Sequence, residues 1–292
     1  MPLTIRSIQY YGGKGNLVDW VIANLPGGTV YVEPFGGAAW VLLNKPRHPI
    51  EVYNDLDNSM VTLFRVIQDK RKFTELRRRL HWTLYSYHEF RKACDILNNP
   101  DGHSDIDIAW ARYVHQMQGF SGSPSSGSWG RELKYGGHRL TFFPHRKNQL
   151  PKMHARLERV FIDSRDAFEV IRYWDSPDTV FYLDPPYPLQ TRSRGDAYTC
   201  EMTDERHELL IELLSGIRGS FALSSYPNPL YDRLVERGIA TCITRQTHAH
   251  SIGRTRALQN KGIIGTAEWR EKSTRIEALY IKGAPRGQLR MF

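Results

Sequence analysis

The chain has 292 residues, 40% of them hydrophobic and 24% charged, with a formal charge of +9; this excludes disorder and fits one large α/β domain, alone or with an insert. The longest apolar runs are only strand length, so no membrane span is expected, and the N-terminus lacks the apolar core of a signal peptide. Cys94, Cys200 and Cys242 are far apart, and the His248/His250 pair lacks nearby Cys or carboxylate partners, so neither a disulfide framework nor a metal site is expected and a reducing cytoplasm fits best.

In chain order, the glycine-rich YYGGKG (residues 10–15) precedes Leu17, Val18, Val21, Ile22 and Leu25, which repeat at helical spacing. TVYVEPFGG then reads as a short strand ending in a Gly-Gly turn, and AAWVLLNK as a helix. A second strand, Ile50–Tyr53, ends at Asn54-Asp55, and Met60, Leu63, Phe64 and Ile67 mark the apolar stripe of another helix. This βαβα rhythm predicts a parallel sheet with covering helices.

The rhythm breaks after about Gln68. Between Gln68 and Ala155 there are 15 Lys/Arg against 8 Asp/Glu, so +7 of the total +9 sits there, together with seven of the eleven histidines. The segment reads as helical to Asn98 and again over Ile108–Gln118, followed by the Gly/Ser-rich loop GFSGSPSSGSWG, too long for a simple connector. We read residues 68–155 as an insert splitting a catalytic unit made of residues 1–67 and 156–292. A basic excess concentrated in one segment points to a polyanion.

The rhythm resumes with a strand at Val160–Ile162, a helix over Asp166–Trp174 and a strand at Val180–Leu183. A helix follows over about Asp204–Ile217, N-capped by Thr203. Strands at Phe221–Ser224, Thr241–Thr244 and Ile276–Ile281 complete the sheet.

Three motifs bear on chemistry. Glu33–Gly37 (EPFGG) is a strand–Gly turn–helix junction that leaves helix N–H groups open to a ligand, although a structural turn accounts for it equally well. Asp55, ending the second strand, stands where such folds bind ribose hydroxyls, or else caps a helix. Lys14 sits on a glycine turn without the GxxxxGK[ST] pattern of a phosphate loop; it suits a ligand carboxylate or a solvated loop. The run TVFYLDPPYP ends a strand on Asp184, because Pro185 and Pro186 cannot donate to a ladder. It offers a carboxylate, unpaired carbonyls and the flat ring of Tyr187, a set suited to a planar base bearing an exocyclic amine.

YYGGKG, VEPFGG, YNDLD and DPPY, in this order, resemble the D12-class, Dam-like N6-adenine DNA methyltransferases, and in particular their phage and prophage branch. RLERVFIDSRDAFEVI, EMTDERHELL, SSYPNPLYDRL and RIEALYI also stand where that family has counterparts. The resemblance covers roughly the first 65 residues and everything after about 155. It implies a Rossmann-like methyltransferase sheet, mostly parallel with an antiparallel C-terminal strand, and an inserted, mainly helical target-recognition domain. It further implies S-adenosylmethionine as cofactor, held by Tyr10, Lys14, Glu33, Pro34, Phe35, Gly36, Asp55, Asp166 and Asp184. Asp184, Pro185, Pro186 and Tyr187 would form the catalytic motif acting on an adenine flipped from duplex DNA. The family's Asp-Phe pair is spaced here as Asp166-Ala167-Phe168. Trp129, Arg131, Lys134, Arg139, Arg254 and Arg256 are the candidate DNA contacts. GATC-reading members carry an Asn- and Pro-Phe-Gly-bearing loop where this chain has GFSGSPSSGSWGRELKYGG, which argues against GATC as the recognised site. The sequence leaves open a monomer or weak dimer, and a role in restriction–modification, phage-genome protection or regulation. Two other readings are the same fold acting on RNA or a protein amide, and a decayed DNA-binding relative. Asp rather than Asn before Pro-Pro favours adenine in DNA, and retention of Lys14, Asp55, Asp184 and Tyr187 weighs against decay.

Overall fold

Seven short runs of β-branched and aromatic residues become seven strands among the described residues of a computed structural model, which describes residues 5–9, 17–119, 128–130, 138–188, 201–248 and 274–284. They are β1 (Val30–Glu33), β2 (Ile50–Asn54), β3 (Phe161–Asp163), β4 (Thr179–Leu183), β5 (Ser220–Ser225), β6 (Thr241–His248) and β7 (Thr274–Lys282). They form one sheet in the order β3-β2-β1-β4-β5-β7-β6. The first five are mutually parallel, and β7 inserts antiparallel between β5 and β6. This is the expected mostly parallel sheet with an antiparallel end, consistent with a methyltransferase fold.

The chain leaves β1 toward β2 and β3, then returns to place β4 on the other side of β1. The β1–β4 boundary is therefore the topological switch point, and a crevice opens there outside the carboxyl ends of the strands. Those ends carry Glu33 and Asp184, followed by their glycine and proline turns.

Helices cover both faces. On one lie α1 (Val18–Ala23), α2 (Trp40–Asn44) and α3 (Asn58–Gln68), and on the other α9 (Ala167–Trp174), α10 (Asp204–Gly216) and α11 (Pro229–Glu236). Thr203 caps α10 as expected, accepting from the Arg206 N–H at 3.3 Å. Helix α11, absent from the sequence expectations, starts on an Asn-Pro signal: the Asn228 side chain accepts from the Tyr231 N–H, with Pro229 in the first turn.

The basic segment folds as α4 (Lys70–Trp82), α5 (Tyr87–Asn98), α6 (Asp105–Gln118), α7 (His138–Lys147) and α8 (Leu150–Leu157). The single helical run expected to Asn98 breaks at Thr83–Ser86 because Ser86 caps a new helix, accepting from the Glu89 N–H. Apolar residues of α4, α5, α6 and α8 share one core with α1–α3 and the sheet, including Leu76, Ala93, Trp110, Val114 and Met153. A buried ion pair fastens α6 to this core: Arg112 donates to Asp57, whose other oxygen caps α3 by accepting from Ser59 and Met60. A second buried network, Lys45–Glu51–Arg156, joins the α2–β2 connection, β2 and α8. Burial pushes the Glu51 carboxyl up, but Arg156 and Lys45 outweigh it and hold it at about 2.

Removing one partner of a buried pair strands the other charge, at a cost of about 3 kcal/mol or more. Arg112→Met is therefore expected to lower unfolding stability by about 3 kcal/mol in urea titration. A loss under about 1 kcal/mol would show that Asp57 is adequately compensated by its helix alone.

Candidate active site

The residues that line the switch point begin with a turn held from its neighbour strand. Gly36 N–H donates to the Asn54 carbonyl at 2.7 Å, Gly37 N–H to Asp55 Oδ2 at 2.7 Å, and the Tyr53 hydroxyl to the Gly37 carbonyl at 2.9 Å. Three consecutive residues at the end of β2 thus grip the turn after β1. Gly36 lies so close that a Cβ would run into the Tyr53 ring and stand 2.8 Å from the Asn54 oxygen. Gly37 has φ 49°, a conformation glycine adopts without strain. Ala39, which caps α2, has φ 52°, at a cost of about 1–2 kcal/mol for a residue with a Cβ.

Asn54 also ties in the next loop. Its amide donates to Pro34 O at 2.8 Å and Arg165 O at 3.1 Å, and its Oδ1 accepts from Arg165 N–H at 3.0 Å. The side chain is fully buried. It cross-links the loops after β1, β2 and β3, a role that the YNDLD motif does not disclose in sequence.

Glu33 faces inward. Its Oε1 accepts from the Tyr31 hydroxyl at 2.6 Å and from the Leu42 N–H at 2.7 Å. Leu42 lies in the first turn of α2, where N–H groups lack intrahelical acceptors, so the carboxylate caps the helix from the strand. Burial pushes this carboxyl up to about 7 despite those donors.

Asp55 is half-buried, and its second oxygen accepts from the Asp57 N–H at 2.8 Å. Burial pushes it up to about 6, against the pull of the Asp57 and Gly37 N–H groups. Of the two readings open for it, the helix cap is filled by Asp57 instead. Asp166 does cap a helix: it accepts from the Phe168 N–H at 2.9 Å and pairs with Arg206 of α10 at 2.5 Å.

β4 is buried along its whole length and delivers Asp184, half-buried, to the carboxyl edge beside the β1 turn. Pro185 is buried and Pro186 half-buried. Tyr187 is buried at 6% exposure. Its hydroxyl donates to Glu277 Oε2 at 2.9 Å and lies 3.4 Å from Ser224 Oγ, while its ring meets Tyr226 edge-on at 4.8 Å. Ser224, Tyr226 and Glu277 are not among the residues expected from sequence. The available signal was an acid between apolar residues in RIEALYI.

The profile of the D12 class N6 adenine-specific DNA methyltransferases matches residues 10–256. The chain belongs to this family. It is also 24% identical over 218 residues to the DNA adenine methylase of Escherichia coli strain K12, covering 72% of this chain and 75% of that protein. The DNA adenine methylase of E. coli O157:H7 matches to the same extent.

Within this methyltransferase, Glu33, Pro34, Phe35, Gly36, Asp55 and Asp184 converge on one edge of the sheet, with Asp166 on the adjoining loop after β3. Tyr10, Lys14, Arg131, Lys134, Arg254 and Arg256 lie outside the described residues. Trp129 and Arg139 come together at the bridge between Gly119 and Trp129: the Arg139 guanidinium donates to the Gly119 carbonyl at 3.3 Å, and the Trp129 ring lies 5.7 Å from Tyr85 and 6.0 Å from Tyr87.

The raised carboxyls set a pH dependence. A group whose folded value lies above its unfolded one stabilises fully below the unfolded value, and that stability is lost as pH rises through the folded value. For Glu33 the window is 4.5 to about 7, and for Asp55 3.8 to about 6. Glu33→Gln keeps an acceptor oxygen without the proton equilibrium. The variant is expected to gain about 2–3 kcal/mol on the native enzyme between pH 5 and pH 8 in denaturant titrations. Parallel curves for the two proteins would show that Glu33 ionises freely in the fold.

Proposed function

We propose that this enzyme transfers a methyl group from S-adenosylmethionine to N6 of an adenine extruded from duplex DNA, with Asp184–Tyr187 as its catalytic turn. The observation that carries the reading is the meeting of the Glu33–Gly37 turn and the Asp184–Tyr187 turn at the switch point of the sheet. Family membership gives the reaction class, N6 methylation of adenine in DNA.

The donor set of the crevice fits the cofactor. Half-exposed Asp55 at the end of β2 presents a carboxylate suited to ribose hydroxyls, the half-exposed ring of Phe35 borders the same turn, and Asp166 and Arg206 close the side toward β3. Tyr10 and Lys14 are assigned to the methionine end through their place in YYGGKG. When bound, S-adenosylmethionine supplies an electrophilic methyl on a sulfonium. The chain's own contribution is placement and electrostatics.

Asp184 and the Pro185 carbonyl would accept the two hydrogens of the adenine amine and leave its lone pair free. Pro185 and Pro186 fix the φ angles that aim these acceptors. Tyr187 would stack the base. Because its ring is buried, the base must displace the side chains packed on it, in addition to the few kcal/mol of leaving the duplex.

Residues 68–155 would form the target-recognition unit on a catalytic body of residues 1–67 and 156–292. Several features support this. Gln118, at the end of α6, is hydrogen-bonded to Ser86 N–H and the Leu84 carbonyl, and neighbouring Met117 accepts from Gln9 N–H, one residue before Tyr10. The α4–α5 corner is therefore tied through the end of α6 to the segment that holds Gln9. It exposes Trp82 (77%), Leu84 (71%) and Tyr87 (57%) beside the exposed Arg77, Arg78, His81 and His88, a mixture of aromatic and cationic groups suited to nucleic acid.

Asp184→Ala is expected to lower methyl transfer from labelled S-adenosylmethionine to duplex DNA by at least about a hundredfold, with an unchanged melting temperature. Native turnover in that variant would remove Asp184 from the mechanism. Label entering RNA or protein but not DNA would overturn the substrate. For the recognition unit, Arg77→Gln with Arg78→Gln is expected to reduce the log–log salt slope of DNA affinity by up to about 2, near 0.9 for each phosphate no longer neutralised. An unchanged slope would assign that charge to solubility.

A further inference from the structure

We infer that Glu277 is a positioning residue for the Asp184–Tyr187 turn, acting through the Tyr187 hydroxyl. The inference rests on the catalytic reading of Tyr187 given above.

Glu277 arrives from far along the chain. The register of β5 on β7 pairs Ser225 with Ala278 and Ser224 with Leu279, so Glu277 lies at the carboxyl edge of β5, next to Tyr226. Alternation along β7 puts Glu277 on the same face as Leu279 and Ile281, which belong to the core shared with Tyr182 of β4. From there its Oε2 accepts the Tyr187 hydroxyl at 2.9 Å. At 8% exposure, a carboxylate is tolerated only when donors satisfy it. A hydrogen bond to a charged acceptor is about twice as strong as one between neutral groups.

Among the described residues the turn is anchored in two ways. Pro185 and Pro186 restrict its backbone from within, and Glu277 holds its far end by the phenol oxygen, 90 residues away in sequence. Tyr226 fixes the ring laterally by an edge contact inclined 77°. With the phenol released, Tyr187 regains rotamer freedom, and the acceptors of Asp184 and Pro185 lose part of their aim.

The test is steady-state methyl transfer to genomic duplex DNA. Glu277→Ala is expected to lower kcat about tenfold or more, the equivalent of at least about 1.4 kcal/mol, with KM for S-adenosylmethionine changed less than about twofold. Glu277→Gln retains an acceptor oxygen and is expected to recover most of the rate. Tyr187→Phe, which keeps the ring and loses the hydroxyl, is expected to match Glu277→Ala, and the double variant to be no slower than either single one. Additive losses, a Gln variant as slow as the Ala variant, or Tyr187→Phe at the native rate would each overturn the inference. If Glu277→Ala fails to fold, Tyr187→Phe and Glu277→Gln still decide it, since both leave the buried volume nearly unchanged. Tyr187→Ala separates the two readings: native activity there removes Tyr187 from catalysis, whereas inactivity combined with additive Glu277 losses defeats only the positioning role.

Discussion

The site depends on the grip of Tyr53, Asn54 and Asp55 on the turn that follows β1. A glycine turn at a strand end has backbone groups that water would otherwise claim, and each must find a partner once buried. Here β2 and the residue after it supply a carbonyl, a carboxylate and a phenol within one short stretch, and the Asn54 amide extends the grip to the loop after β3. The turn can therefore hold a fixed shape with a left-handed Ala39 in it. Strain of that kind persists where surrounding contacts over-determine the backbone. A crevice at the sheet edge has a defined form because its walls are cross-linked before any ligand arrives.

The buried carboxylates differ in how their charge is met. Glu51 is held ionised by hydrogen bonds to two cations, whereas Glu33, which feels the same two only through space, is hydrogen-bonded to neutral donors and is driven upward by burial. The difference lies in the partner: a guanidinium repays desolvation through charge, while a helix terminus and a phenol repay only part of it. The same reasoning separates Asp57 from Asp55. Asp57 has Arg112, so it bonds α6 to the start of α3; Asp55 is held by backbone donors and stays half-exposed. Two acids two residues apart thus divide between a buried ion pair and a half-exposed place at the sheet edge.

The two flanking turns reach rigidity by different routes. The β1 turn is flexible in sequence and made rigid by neighbours. The β4 turn is stiff in sequence through its prolines, and a tertiary contact secures its distal end at Tyr187. Helices α4–α8 share a core with the body instead of hanging from it, so their exposed aromatic and basic corner keeps a fixed relation to the crevice.

Strand positions, carboxyl-edge motifs and the basic segment were legible in the chain because each leaves a local signature: alternation, proline, glycine and charge density. DPPY located the end of a buried strand, and EPFGG and YNDLD marked the edges of its neighbours. What the chain alone left open was the commitment of each polar side chain. Glu33 caps a helix, Asp166 pairs with Arg206, and Asp57 rather than Asp55 caps α3, because such assignments depend on which elements pack together. The break between α4 and α5 was masked by continuous helical periodicity, and α7, α8 and α11 by the prolines they contain, Pro144, Pro151 and Pro229. Glu277 shows the limit most clearly: its position in sequence says only that a strand contains an acid. Antiparallel insertion of β7 brings that acid to Tyr187, since long-range pairing is set by the packing of the whole sheet and not by neighbours in the chain.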